Sequence, residues 1–388
     1  MKRYSANYIF PVTGEPIKNG IIVVTDNGTI AEIIDPKGAS LELPSMEYHS
    51  GILIPGLVNT HCHLELSHLK GMLTPHKGLA HFVGEIKQTR HASSEEIIAA
   101  AKSADRQMFL QGTAAVGDVC NGDATSAIKA SSKIRYHSFF EVLGLATDSL
   151  PSKLKDLQAT FDNLRLASKA SYAPHSVYSL SAAMWEVLQP YWHQQFTSIH
   201  YMESEEEFTL LNQRAGGLAE LFSSWGLPQS QPSATHFEIV NQFMRNAASV
   251  LFVHNTYATP ADIYRLRAAF TKMFLAICPT SNLFIEKRLP ALDVLLRNAD
   301  VVTLGTDSFA SSNSLSVFQQ MLTLSEHYPE IPFTTLLAWA TLNGAKALGF
   351  DDVLGSFDVG KQPGINLIQG FDFAAQTLRP TATLTRLL

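Results

Sequence analysis

Eight short apolar, β-branched runs recur along the chain, at 51–58, 113–119, 134–142, 170–173, 196–202, 250–253, 273–277 and 301–304. Longer segments between them, 94–110, 154–167, 182–188, 209–225 and 260–270, place apolar residues at helical spacing. Strand–helix alternation of this kind predicts an α/β fold, a parallel (β/α)₈ TIM barrel. The first fifty residues differ. They predict short strands at 8–12, 20–25 and 29–34, joined by turns at Thr13-Gly14 and Asp26-Asn27-Gly28. The tail repeats this habit at 355–358 and 365–368, around Gly360-Lys361. Both termini are therefore expected to form one small β-sandwich domain, 1–54 plus 355–388, beside a catalytic barrel of 55–354.

Composition narrows the picture. A chain of 388 residues suits a large barrel with a small appendage, and 46% apolar content supplies a substantial core. A net charge of −6 leaves no basic surplus to meet phosphates, so neither nucleic acid nor a membrane surface is an expected partner. Cys62, Cys120 and Cys278 are too few and too scattered for a disulfide framework. Met1-Lys2-Arg3-Tyr4-Ser5 leads into polar sequence rather than a signal-peptide core, and no run of 18 apolar residues occurs. The expectation is a cytoplasmic protein.

In such barrels the chemistry sits at the C-terminal ends of the strands. There the sequence places Asn59-Thr60-His61-Cys62-His63, Pro174-His175-Ser176, His200-Tyr201-Met202-Glu203, His254-Asn255-Thr256 and Gly305-Thr306-Asp307-Ser308. One buried histidine is usually a satisfied core residue. Histidines or acids at the same relative position on five of eight strands are hard to explain by packing. His61 and His63, two apart on a strand, share a face, and Cys62 between them faces the other way in a structural role. Two imidazoles on one face make a metal clamp, which His200 and Asp307 would complete while leaving a position for water.

These segments resemble the amidohydrolase superfamily, specifically its deaminase and chlorohydrolase branch. The resemblance runs from Pro55-Gly56-Leu57-Val58-Asn59-Thr60-His61-Cys62-His63 through Ala173-Pro174-His175, His200-Tyr201-Met202-Glu203 and Val253-His254-Asn255. It continues through Pro279-Thr280-Ser281-Asn282 to Gly305-Thr306-Asp307-Ser308-Phe309-Ala310-Ser311. It implies one divalent metal, zinc ahead of iron, held by His61, His63, His200 and Asp307. It further implies that Glu203 carries a proton to a ring nitrogen and that His254 holds the attacking water-derived nucleophile. Dinuclear relatives carry a bridging lysine at the end of the fourth strand; here that end is Tyr172-Ala173-Pro174-His175, and Lys169 lies before it. In the implied reaction Asp307 takes a proton from the water, Glu203 protonates the ring, and ammonia leaves with a proton from Asp307. Proton transfer of this kind is worth roughly 10²–10⁴-fold. Glu203 also reads as a solvated acid at an acidic helix start, before Glu205, Glu206 and Glu207, but it alone has the His-x-x-Glu spacing.

Glu65 and His175 are the candidate substrate contacts. Glu65 either binds a ribose hydroxyl or amino group or caps a turn. The Glu65-x-Ser67 arrangement resembles the subgroup acting on adenosine derivatives such as aminodeoxyfutalosine. Methylthioadenosine, adenosylhomocysteine and free bases are the other small heterocycles in view. Ser311-Ser312-Asn313-Ser314 resembles a structural turn, and a loop with His76, Lys77, His81 and Phe82 is expected over the pocket. Competing readings are cyclic amide or imide hydrolysis, chloride displacement, and a non-catalytic nucleoside-binding barrel; retention of all four ligands argues against the last. Homo-oligomers, often dimers, are common in the family.

Overall fold

The computed structural model describes the backbone of residues 1–146 and 150–388, and the side chains of these except 150–154. From the N-terminus run β1 (Lys2–Ile9), β2 (Ile17–Lys18), β3 (Ile21–Val24), β4 (Ile30–Ile34) and β5 (Met46–Pro55). Eight parallel strands follow: β6 (Leu57–Cys62), β7 (Thr113–Cys120), β8 (Arg135–Val142), β9 (Lys169–Pro174), β10 (Phe196–Tyr201), β11 (Ser249–His254), β12 (Met273–Ile277) and β13 (Val302–Leu304). The chain closes with β14 (Ile365–Asp372) and β15 (Thr377–Arg386).

The eight parallel strands hydrogen-bond as two four-stranded sheets, β6-β7-β8-β9 and β10-β11-β12-β13. Their edges meet at both seams through single bridges, Cys62 with Asp307 and Ser176 with His200. At the first seam the Thr306 and Asp307 amides donate to the His61 carbonyl; at the second the His200 amide donates to the His175 carbonyl. Both seams therefore fall at the residues that carry histidines and acids. Gly305 allows the first approach: a Cβ there would stand 2.8 Å from His61 Cβ and 2.9 Å from Cys278 Sγ. Strands such as β11 and β12 are buried at every position, which explains why they read as continuous apolar runs rather than alternating ones.

Strands from both ends of the chain form one seven-stranded sheet, in the order β15-β14-β5-β1-β3-β4 with β2 on β1. Several expected boundaries shift. The run 51–58 spans two strands: its first half closes β5 in this terminal sheet and its second half opens β6. Gly56 makes the switch, where a Cβ would meet the Pro363 carbonyl oxygen at 2.2 Å. The strand expected at 8–12 lies earlier, because Val12 has a left-handed backbone (φ 77°) and ends the extended run. No strand forms at 355–358. The helix expected at 209–225 is two, Glu205–Gln213 and Gly217–Ser224, broken where Arg214 and Gly216 take positive φ. The helices Ser94–Leu110 and Ala182–Leu188 lie where periodicity places them. No helix among the described residues is long and apolar enough to cross a membrane.

Candidate metal centre and active site

Four histidines and an aspartate converge beside the seams. His61 and His63 project from β6 and its end on one face, as their spacing requires, and Cys62 turns into an apolar cluster with Leu64 and Val116. The Asp307 Oδ1 lies 3.8 Å from His61 Nε2 and 3.6 Å from His63 Nε2. His63 Nε2 and His200 Nε2 stand 3.4 Å apart. Rings of His63 and His200 each meet the His61 ring edge-on, with centroids 4.9 Å away. All are buried, and neither ring nitrogen of His61 has a hydrogen-bond partner.

Buried nitrogens with no partner are costly unless something outside the protein satisfies them. The donor set here, imidazoles with one carboxylate oxygen, is the chemistry of a divalent metal site. Sets His61–His63–Asp307 and His61–His200–His254 each place their donor atoms within 4.8 Å of one another. Burial and the neighbouring imidazoles hold His61 and His200 well below the ordinary histidine range, so both present neutral rings able to ligate. The His200 Nδ1 donates to the His175 carbonyl at 2.8 Å, which fixes its tautomer and aims Nε2 at the cluster. Burial alone would raise the Asp307 carboxyl, but His63, His61 and His254 outweigh it and keep the group ionised. Its Oδ2 accepts from Ser281 Oγ at 2.7 Å and Ser311 Oγ at 2.6 Å, so Oδ1 is the oxygen left facing the histidines.

Glu203 and His254 face each other across the same space. Glu203 Oε1 lies 3.4 Å from His254 Nε2. Burial first, then Asp307 and Glu207, push the Glu203 carboxyl well above the usual range, which favours its protonated form. Glu203 is thus not the solvated acid its neighbours suggest; it is 6% exposed. Its backbone is held by Glu207, whose Oε1 accepts from the Glu203 amide at 2.6 Å and whose Oε2 lies 3.1 Å from His236 Nε2. His254 Nδ1 faces Asn282 Oδ1 at 3.4 Å, leaving Nε2 as the acceptor toward Glu203. His254 and Asp307 both sit in left-handed backbone, φ 73° and 57°. Non-glycine residues held there cost energy and cluster at functional sites.

The helix Pro279–Glu286 supplies both Ser281 and Asn282. The Pro-Thr-Ser-Asn motif was visible, yet these two roles were not read from it, because they depend on the seventh strand delivering a helix end to the eighth. Glu141, near the end of β8, is a second residue the sequence reading passed over. It is buried, lines the cavity, accepts from Asn121 Nδ2 at 2.9 Å through Oε2, and leaves Oε1 with no hydrogen bond, 3.6 Å from His200 Nδ1. The only available signal was an acid inside the apolar run 134–142.

A cavity of about 520 Å³ opens over this cluster. His63, His200, Glu203, His254 and Asp307 line its buried end, and His175 lies in the wall stacked on His200 at 4.6 Å. Glu65 is not among the lining residues; its Oε1 accepts from the Asn121 amide at 3.1 Å, beside a residue that does line it. Phe82 lines the cavity, whereas His76 donates its backbone N–H to the Phe284 carbonyl and exposed His81 pairs with Glu85. Ser311 and Ser312 hold Asp307 and Thr280, the structural role expected of that turn. Lys169 begins β9 and donates to the Gly349 carbonyl, away from the histidines.

Residues 52–386 match the amidohydrolase family, and the chain belongs to it. The chain is 26% identical over 373 residues to an adenosine deaminase of Helicobacter pylori, covering 92% of this chain and 89% of that one. Its fold is similar to that of H. pylori aminofutalosine deaminase in complex with methylthio-coformycin, at TM-score 0.81 and 22% identity, over 95% of this chain and 92% of that one. It is similar also to a Xanthomonas campestris adenosine deaminase with bound zinc, at TM-score 0.72 and 23% identity, over 97% and 86%.

Proposed function

We propose that this protein is a metal-dependent aminohydrolase that replaces the ring amino group of an adenosine-type nucleoside with oxygen and releases ammonia. In this reading residues 55–354 form one closed (β/α)₈ barrel, and 1–54 with 355–388 form a small β domain beside it. His61, His63, His200 and Asp307 would hold one divalent ion, zinc ahead of iron; ligand softness does not separate the two, and the zinc in the X. campestris relative supports the order. A bound ion of this kind supplies a water that is acidic near neutral pH.

The protein's own residues do the rest. Asp307 Oδ1 takes the proton of the attacking water while Ser281 and Ser311 hold the other oxygen. His254 Nε2 orients the nucleophile opposite the ring. The protonated Glu203 gives its proton to the ring nitrogen as the attacked carbon becomes tetrahedral. Ammonia departs with the proton stored on Asp307, and the hydroxyl proton left on the attacked carbon returns to Glu203, giving the oxo product and the starting acid. His175 and Glu141 face the cavity as candidate acceptors for substrate hydroxyls, with Glu65 behind Asn121 as a more remote contributor. Three unpaired buried thiols support placing the enzyme in a reducing cytoplasm.

The observation that carries this reading is the buried Glu203 carboxyl, 3.4 Å from His254 Nε2 and beside Asp307 in the same cavity. Amide hydrolysis does not need an acid over a ring nitrogen, and chloride leaves without a proton. The test is ammonia release from adenosine, methylthioadenosine, adenosylhomocysteine, aminodeoxyfutalosine, guanine and cytosine. Dihydropyrimidines and a chlorotriazine form the counter-panel. Turnover of a cyclic amide above ~10⁴ M⁻¹s⁻¹, with no ammonia from any aminated ring, would overturn it.

A further inference from the structure

Among the described residues four helices begin on a complete capping box, in which an N-cap hydroxyl and an acid three residues on bond each other's backbone. In three of them the acid, Glu96, Glu238 or Asp262, bonds its N-cap residue at the exposed surface. The fourth, on the helix Glu205–Gln213, is built differently. Its acid, Glu207, is 1% exposed. Its Oε1 accepts from the Ser204 amide at 3.1 Å and, one residue beyond the box, from the Glu203 amide at 2.6 Å. Its Oε2 accepts at 3.1 Å from Nε2 of His236, the first residue of the helix His236–Met244. His236 is buried as well, its ring centroid 4.4 Å from that of Phe208 and its edge turned to Tyr201.

A helix cap needs one oxygen at the surface, as the other three boxes show. Burying a carboxylate has a free-energy cost that a surface cap does not meet. The added amide and the buried imidazole therefore serve something other than the helix end. The Glu203 amide is the first N–H after Met202, whose backbone is left-handed (φ 49°). Here the chain leaves β10 and brings the Glu203 carboxyl into the cavity beside His254. A residue in that backbone region persists only where its surroundings hold it there.

We propose that Glu207 and His236 are positioning residues for Glu203: Glu207 clamps the backbone on which the proton carrier stands, and His236 locks the clamp from a second helix. The inference rests on the deaminase reading for what Glu203 does, and on these contacts for how it is held. Neither residue lines the cavity, so their removal should spare metal and substrate binding and slow the proton step. A displacement of about 1 Å at a reacting group costs on the order of 10²-fold.

The experiment compares Glu207→Ala, Glu207→Gln and His236→Gln, with Glu205→Gln, an exposed acid of the same helical turn, as control. Methylthioadenosine is the kinetic probe, elemental analysis gives metal content, and NMR follows hydrogen exchange at the Glu203 and Ser204 amides. Glu207→Ala should lose about 10²-fold in kcat, with KM and metal content unchanged. Its solvent deuterium isotope effect on kcat should rise, because the slowed step moves a proton. Glu207→Gln keeps a carbonyl for both amides and a donor for His236, and should recover most of the loss. His236→Gln should lose about tenfold, the scale of one hydrogen bond to a charged group. Glu205→Gln should match the unaltered protein. Both amides should exchange slowly in the unaltered protein and in Glu207→Gln, and quickly in Glu207→Ala. A general structural role would instead lower metal content and the active fraction at an unchanged isotope effect, and that result overturns the inference. So does a Glu207→Gln no better than Glu207→Ala, or a Glu207→Ala with undiminished kcat. Should Glu207→Ala fail to fold, His236→Gln decides the matter: full kcat with slow exchange overturns the inference, and a loss confined to kcat supports it. Absence of ammonia from every aminated ring defeats the deaminase reading. The exchange pattern then still judges the clamp, which stands if Glu207→Ala frees the two amides and falls if they exchange freely in the unaltered protein.

Discussion

Two buried polar clusters flank β6, and they are finished differently. On one face, His61, His63, His200, His254 and Asp307 leave both nitrogens of His61 without partners. On the other, Asp118 of β7 accepts from the Leu64 amide at 2.7 Å and pairs at 2.5 Å with Lys129, which also donates to Ser138 at 3.0 Å. Both charged side chains there are wholly buried. Burial would lower the Lys129 ammonium, but Asp118 outweighs it and raises the group above its ordinary range. The second cluster neutralises itself and fixes the turn that follows His63. The first is complete only with something added. Donor atoms left open toward one point, rather than burial or charge as such, separate the site from the strut, whose charges pair within the chain.

The comparison breaks most sharply at His61. His61→Ala is expected to lose the bound metal, from about one equivalent to none by elemental analysis, and with it all ammonia release. A variant that keeps its metal would remove His61 from the ligand set. Glu203→Gln should keep the metal and lose roughly 10²–10⁴-fold in turnover; near-normal turnover would show that Glu203 is not the proton carrier. In the self-satisfied cluster the damage should appear in stability instead. Lys129→Ala leaves Asp118 buried and unpaired and should cost about 3–5 kcal/mol in denaturant unfolding. Asp118→Asn combined with Lys129→Met should recover much of it, and added metal should not rescue the single variant. If chelation and Lys129→Ala gave the same profile of lost metal and lost activity, the two clusters would not be distinct. The smallest effect is expected for Ser311→Ala, which removes one of two hydroxyls from Asp307: about tenfold in kcat, with metal content unchanged. No change within experimental error would assign the positioning to Ser281 alone.

Much of the architecture was legible because parallel strands are apolar along their whole length and their ends are marked by residue types that do not belong there. His61, His63, His200, Glu203, His254 and Asp307 were all visible this way, and the structure gathers them around one space. What escaped the sequence was non-local or masked. Gly56 joins two strands of different sheets without a break in hydropathy, so 51–58 read as one element. Polar β15 is an exposed edge strand with little pattern. Glu141 lay inside an apolar run, and Ser281, Asn282 and the Asp118–Lys129 pair acquire their partners only through tertiary approach. Arg214 in left-handed backbone broke a helix that periodicity alone would continue.

The terminal sheet has a consequence for how the chain is made. β14 pairs with β5 across nearly the whole polypeptide; Asn366 reaches the Pro55 carbonyl over a separation of 311 residues. At ~5–20 residues per second, a ribosome needs roughly 15–60 s to deliver that partner. Through this interval β5 presents an unpaired edge, the kind of template that recruits strands from other chains. The last strands therefore act as a clasp that closes after everything between them has emerged, and until then the side of β5 that β14 covers has no partner strand from the same chain.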